Sequence, residues 1–141
     1  MRPRNGPRRP TKRAGHSAVE LALLLPFLGL LFLICIDFAR LYYHYTIVSN
    51  CARNGALYAS DSVTAKESPY SDVTAAGQAD GSDLNPLPTI SSTSGTDSNG
   101  NAYVEVTASY SFSTISNYPG LPNPITLTRT VRMRTAPTTP N

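Results

Sequence analysis

The chain has 141 residues, of which 40% are hydrophobic and 15% are charged. This size suits one small domain with appendages and excludes two large folded domains. Its two cysteines exclude a disulfide framework. Much of the apolar content is concentrated in one segment, so any soluble part has a small core and depends on packing against a helix or other subunits.

The net charge of +3 hides a strong asymmetry along the chain. The first fifteen residues carry six bases and no acid, whereas Leu41 to Asn141 carries five bases and seven acids. A basic arm can bind nucleic acid, but this arm has no interleaved aromatic residues and adjoins an apolar segment. The positive-inside rule explains it more simply, since it keeps the N-terminus in the cytoplasm. We therefore predict a disordered cytoplasmic leader over residues 1–15, compatible with anionic lipid headgroups, and expect no nucleic-acid partner.

The apolar segment follows directly. Leu21 to Ile36 reads "LALLLPFLGLLFLICI", without a charge or strongly polar group. With its flanking residues it is long enough to cross a bilayer, which predicts a single transmembrane helix over residues 16–39. Pro26 is expected to kink this helix locally.

Beyond the span the pattern becomes amphipathic, which predicts that the helix continues over residues 40–60. The expected buried stripe recurs at spacings of three and four and ends in small residues that allow close packing. Its members are Leu41, Tyr45, Val48, Ala52, Gly55 or Ala56, and Ala59. His44, Asn50, Arg53 and Asn54 are expected largely elsewhere on the helix, with Tyr42, Tyr43 and Tyr45 at the outer membrane interface.

Residues 61–134 are predicted to form a small extracytoplasmic α+β domain. Residues 61–101 are interpreted mainly as loop, with a short helix near 72–79, a weak strand near 88–93 and a turn at "TDSNGN". Alternating side chains predict a strand in "AYVEVTASYSF" and another in "ITLTRTVRMR". The expected fold class is α+β, a long N-terminal helix packed on two or three antiparallel strands in a pilin-like arrangement, with a flexible tail over 135–141.

No catalytic constellation can be assembled from the sequence. His16 and His44 lie on opposite sides of the predicted span, and His44 with Cys51 lacks further metal ligands. We interpret His44 as an interfacial polar residue, Cys35 as a membrane residue and Cys51 as a buried free thiol, although a link to a partner chain stays open for Cys51. Nucleophile, phosphate-loop and dinucleotide motifs are missing, so we expect no enzyme, metal or cofactor.

Glu20 stands at the entrance of the apolar segment. One interpretation is an interfacial carboxylate that reaches headgroups or pairs with Lys12 or Arg13. The second interpretation is that Glu20 belongs to a processing site. Gly15 ends the basic leader, and Glu20 is the fifth residue after Gly15. A secretory signal would place small cleavage-site residues after the apolar core, where "DFARLYY" is a poor site.

The arrangement of glycine, glutamate and apolar helix resembles a type IV prepilin processing site. The stretch from Gly15 to Asp61 further resembles the TadE family of pseudopilins from bacterial tight-adherence (Tad, or Flp) pilus systems. Its members share a G-x-x-x-x-E start, an early proline such as Pro26, and an arginine near the outer end of the helix, here Arg40. The sequence A-R-x-G-A-x-Y-A follows, here Ala52, Arg53, Gly55, Ala56, Tyr58 and Ala59.

The resemblance implies cleavage by a prepilin peptidase between Gly15 and His16, with Glu20 acting in processing and assembly. It implies a minor pilin or pseudopilin of a Tad pilus and secretion apparatus, in the bacterial cytoplasmic membrane or the surface pilus. Its partners would be the bilayer, the peptidase, other pilin subunits and Tad platform proteins. The alternative from a different class is an uncleaved, signal-anchored extracytoplasmic binding or adhesion protein, and a membrane-tethered hydrolase is a more distant one.

Overall fold

The structure, a computed structural model, describes residues 14–137. The predictions for most of the basic leader and for the end of the tail fall on residues 1–13 and 138–141, outside the described residues. The chain divides into two compact units, one ending at Ile36 and the other beginning at Asp37.

The first unit, as far as it is described, is the beginning of one long helix, α1, which spans Ala14–Ser60. Leucine and alanine favour the helix, and Pro26 lies inside it. Large apolar side chains from Val19 to Leu33 are exposed on the single chain. Within the described residues, α1 is the one helix long and apolar enough to cross a membrane.

The second unit begins with the rest of α1, followed by two short helices. α2 spans Ser62–Glu67 and α3 spans Val73–Gln78, followed by a 3-10 turn at Ala79–Gly81. Each helix starts where an aspartate side chain accepts hydrogen bonds from the first turn: Asp61 from the amides of Val63 and Thr64, and Asp72 from that of Ala75. These caps stabilise helices too short to form by propensity alone.

Three antiparallel strands form one sheet in the order β1-β2-β3. Their bounds are Thr89–Thr96 for β1, Ala102–Phe112 for β2 and Ile125–Arg134 for β3. The β1–β2 turn is closed by Asp97, whose carboxylate accepts bonds from the amides of Asn99 and Asn101. Gly100 has a φ of 82°, a left-handed conformation that glycine adopts without strain.

One face of the sheet packs against the second half of α1. Alternate residues of the central strand are buried, and these are Val104, Val106, Ala108 and Phe112. Val106 pairs with Val131, and Ala108 pairs with Arg129, which interrupts the apolar face of β3 and is exposed. On the helix side the core is completed by Val48, Cys51, Ala52 and Ala56.

The predicted α+β fold with two or three antiparallel strands is confirmed, and the number of strands in the sheet is three. The interpretation of residues 61–101 mainly as loop is wrong for α2, whereas the short helix expected near 72–79 is α3 and the weak strand expected near 88–93 is β1, which extends to Thr96. β1 lacks an apolar alternation because it is an edge strand in which Ile90 and Gly95 are half-buried and the other six residues are exposed. Its pairing with β2 therefore depends on backbone hydrogen bonds more than on burial.

Candidate functional site

The predicted processing segment lies at the beginning of α1. Gly15, His16 and Glu20 are all exposed on the helix, and a side chain at Gly15 would meet no atom within 4 Å. The peptide bond between Gly15 and His16 lies in the first helical turn, whose amides have no intrahelical acceptor. Unwinding this turn to present an extended substrate therefore costs little.

The small residues of the A-R-x-G-A-x-Y-A sequence lie where α1 meets the sheet. Ala52 and Ala56 are fully buried. A Cβ atom at Gly55 would stand 3.0 Å from Cγ1 of Val106 and 3.5 Å from the carbonyl oxygen of Val73. These positions allow the helix backbone to approach β2 closely, since a larger side chain would separate them.

The other members of that sequence have different surroundings. Arg53 is exposed, and Ala59 is half-buried and packs against the core. The hydroxyl of Tyr58 donates to the carbonyl oxygen of Tyr70 at 3.3 Å, which ties the end of α1 to the segment before α3.

His44 lies against the end of the sheet, which corrects the expectation that it lies largely outside the stripe of α1 that faces the sheet. Its ring stacks on Tyr110 at 5.4 Å between centroids and lies 5.1 Å from Phe112. Its Nδ1 is 2.6 Å from the carbonyl oxygen of Arg40. Tyr45, predicted on the buried stripe, is 37% exposed, because the sheet-facing side runs through position 44 instead.

Asp37 is the functional candidate that the sequence reasoning missed. It is 4% exposed, and its carboxylate accepts hydrogen bonds from the amide of Ile115 at 2.9 Å and the hydroxyl of Tyr118 at 3.0 Å. The amide of Ser116 is at 3.5 Å, and the Arg40 guanidinium forms an ion pair at 3.1 Å. Together these donors stabilise the buried anion and connect α1 to the loop between β2 and β3.

One signal in the sequence points to this site. An acid directly after an apolar run with an arginine three residues later is a helical ion-pair spacing. The family-signature Arg40 has a second contact, because its guanidinium carbon lies 5.2 Å from the centroid of the Phe112 ring. Tyr118 has a pKa raised above its usual value, first by desolvation and then by donating to Asp37, so its hydroxyl stays protonated at neutral pH.

Cys51 is buried and free. Desolvation, with a smaller effect of Asp80, raises the pKa of its thiol to about 11. The protonated thiol therefore acts as a small apolar core group, as predicted.

A groove of about 880 Å³ lies at the other end of the second unit, beside the C-terminus of α1. Tyr58, Tyr70, Arg134 and Pro137 contribute to its lining. Its Asp61 carboxylate is already occupied by the α2 cap. Over residues 14–137, histidine, cysteine and acidic side chains form no cluster of three or more suited to a metal ion.

These features define a class: a candidate single-pass membrane protein whose anchor helix continues into a small α+β domain. Residues 15–57 match the family model described as TadE-like protein. The match confirms the resemblance over this helical segment, which is 43 of the 141 residues. No curated protein and no solved structure is significantly similar to the chain.

Proposed function

We propose that the protein is a membrane-anchored minor pilin or pseudopilin that takes part in assembling a Tad-type pilus and secretion apparatus. Its N-terminus lies in the cytoplasm and its α+β domain lies outside. The observation that carries this proposal is the spacing of Gly15 and Glu20 at the start of an apolar helix within the TadE-like segment.

Processing follows from the same residues. A prepilin peptidase cuts between Gly15 and His16 on the cytoplasmic side, and the helix stays on the mature protein. The position of this bond in the first turn of α1 and the open space around Gly15 favour access by the enzyme.

Cleavage gives Glu20 its role. It creates a free amino group on His16, and the Glu20 carboxylate pairs with that group on a neighbouring pilin subunit as helices bundle in the membrane. Two charges that are costly to bury separately become tolerable as a pair, and the pairing selects one axial register between subunits.

We place the outer end of the membrane segment near Ile36, three residues before the predicted limit at residue 39. The support is the beginning of the second unit at Asp37 and the hydrogen bonds of its carboxylate to a loop of that unit. The remaining partners are other pilin subunits and Tad inner-membrane platform proteins, which meet the exported domain and the helix.

Intact-mass analysis of the protein extracted from the membranes of its own bacterium tests the proposal. We expect a chain that begins at His16. Gly15→Leu places a bulky side chain at the scissile bond and should leave residues 1–15 attached. Gly29→Leu is the matched control, because a side chain at Gly29 also meets nothing within 4 Å, and it should be processed normally.

A native chain that retains Met1 to Gly15 would contradict processing. That result would favour an uncleaved, signal-anchored binding or adhesion protein.

A further inference from the structure

The loop between β2 and β3, residues 113–124, is held at the beginning of the second unit. Its Ile115 amide and Tyr118 hydroxyl bind Asp37, the first residue of that unit. Asn123 donates to Asn117 at 2.6 Å and accepts from the Thr114 amide at 3.3 Å, so the loop is also bonded internally.

Two large apolar side chains of this loop are more than half exposed on the described chain. Ile115 is 58% exposed and Leu121 is 59% exposed. Leu121 follows a tight turn in which Gly120 has a φ of 86° and the Leu121 amide donates to the Tyr118 carbonyl. The loop contains no charged residue.

The position at which the loop is bonded to α1 indicates what covers them. Asp37, to which the loop is bonded, is the first residue after the uncharged run from Leu21 to Ile36, the part of α1 that we propose to cross the bilayer. Aromatic residues that directly follow such a run are typical of the membrane–water interface. Those residues include Phe38 and Tyr42, which are 71% and 72% exposed.

Asp37 does not oppose this placement. Its carboxylate is enclosed by donors of its own chain and paired with Arg40, so it presents almost no charge to the surroundings. The groups tied to it can therefore lie at the membrane boundary.

We propose that loop 113–124 is a lipid-contacting element, in which Ile115 and Leu121 enter the interfacial region of the outer leaflet beside α1. The occupant is the acyl and headgroup boundary, into which apolar side chains penetrate by about 5–10 Å. The second unit is then attached to the bilayer at two places, the helix and the loop. This inference rests on the proposed membrane anchoring.

Fluorescence quenching in vesicles tests the inference, because the chain has no tryptophan. Ile115→Trp and Leu121→Trp are each introduced into the full chain, which is reconstituted into phosphatidylcholine vesicles with bromine on the acyl chains. Both positions are exposed, so the larger ring can be accommodated. We expect blue-shifted emission that is quenched most by bromines near the headgroup end of the chains.

Two control variants separate this inference from the anchoring itself. Leu23→Trp reports the membrane segment, and Asn99→Trp reports the exposed β1–β2 turn at the other end of the sheet. If Leu23→Trp is quenched while the loop variants are quenched no more than Asn99→Trp, the loop does not contact lipid and the inference is overturned. If Leu23→Trp is not quenched, the proposed anchoring fails. Emission from the loop variants that is blue-shifted with protein concentration, without quenching, would assign the surface to a second copy and also overturn the inference.

Discussion

Asp37 illustrates how a single buried carboxylate can organise a small domain. Burial of a charge is unfavourable unless donors compensate it. Here the donors come from Arg40 on the same helix and from residues 78 to 81 positions later in the chain. The cost of burial therefore enforces one position of loop 113–124 on α1, since other positions leave the anion without these donors.

Replacement of Asp37 should release this loop. In Asp37→Ala the amides of Ile115 and Ser116 lose their acceptor, so we expect their hydrogen exchange to accelerate roughly tenfold or more, the scale of hydrogen bonds to a charged group. Exchange measured by mass spectrometry on peptides covering 113–118 checks this. Asp83→Ala removes an exposed acid and should leave the same peptides unchanged. Equal exchange in both variants would show that the carboxylate does not hold the loop.

At the scale of elements, the second half of α1 and strand β2 act as one packed unit. Small residues on the helix face the alternating valines of the strand, and a Cβ atom added at Gly55 would lie closer to Val106 than ordinary van der Waals contact allows. The A-R-x-G-A-x-Y-A sequence thus combines positions that face the sheet with Arg53, which is exposed and free for other contacts.

Gly55→Leu should destabilise the domain by overpacking. Overpacking lowers the free energy of unfolding by about 1–3 kcal/mol, and the higher helix propensity of leucine raises it by up to about 1 kcal/mol. We expect a net loss of about 1–2 kcal/mol in the free energy of unfolding, measured by urea denaturation of the full chain in mild detergent.

Two further variants control this experiment. Arg53→Leu changes an exposed neighbour on the same helix and should stay within about 0.5 kcal/mol of the wild type. Val106→Ala combined with Gly55→Leu should recover part of the loss, because it removes the methyl group that the new side chain meets. Additive effects of the two substitutions would argue against this contact as the cause.

At the scale of the whole molecule, the chain consists of three consecutive segments that differ in charge and polarity. A basic leader, an apolar helix and a mildly acidic C-terminal portion follow one another in the sequence. The TadE-like match covers the helix and stops at Leu57, before the strands. The sheet is thus outside the matched segment, whereas nearly all of α1, which packs against the sheet, is inside it.

Glu20→Gln should separate membrane insertion from assembly. The neutral amide cannot compensate the amino group of a neighbouring His16, so we expect the variant to reach the membrane normally. Its recovery in the assembled pilus or secretion fraction should fall by roughly tenfold or more. Quantitative immunoblotting of the membrane and assembly fractions checks both expectations.

Glu67→Gln is the matched control, since it removes an exposed carboxylate in α2. Normal incorporation of Glu20→Gln would rule out the proposed pairing.

The sequence by itself determined the features that depend on local periodicity. The helix of α1, the apolar span, the alternation in β2 and the "TDSNGN" turn all depend on residues within a few positions of one another, and each is recognisable without knowledge of the fold. The tertiary structure alone decided the partners of Asp37, the stacking of His44 on Tyr110 and the extension of the edge strand β1 to Thr96. These depend on groups tens of residues away or on backbone pairing without burial, so no local pattern of side chains records them.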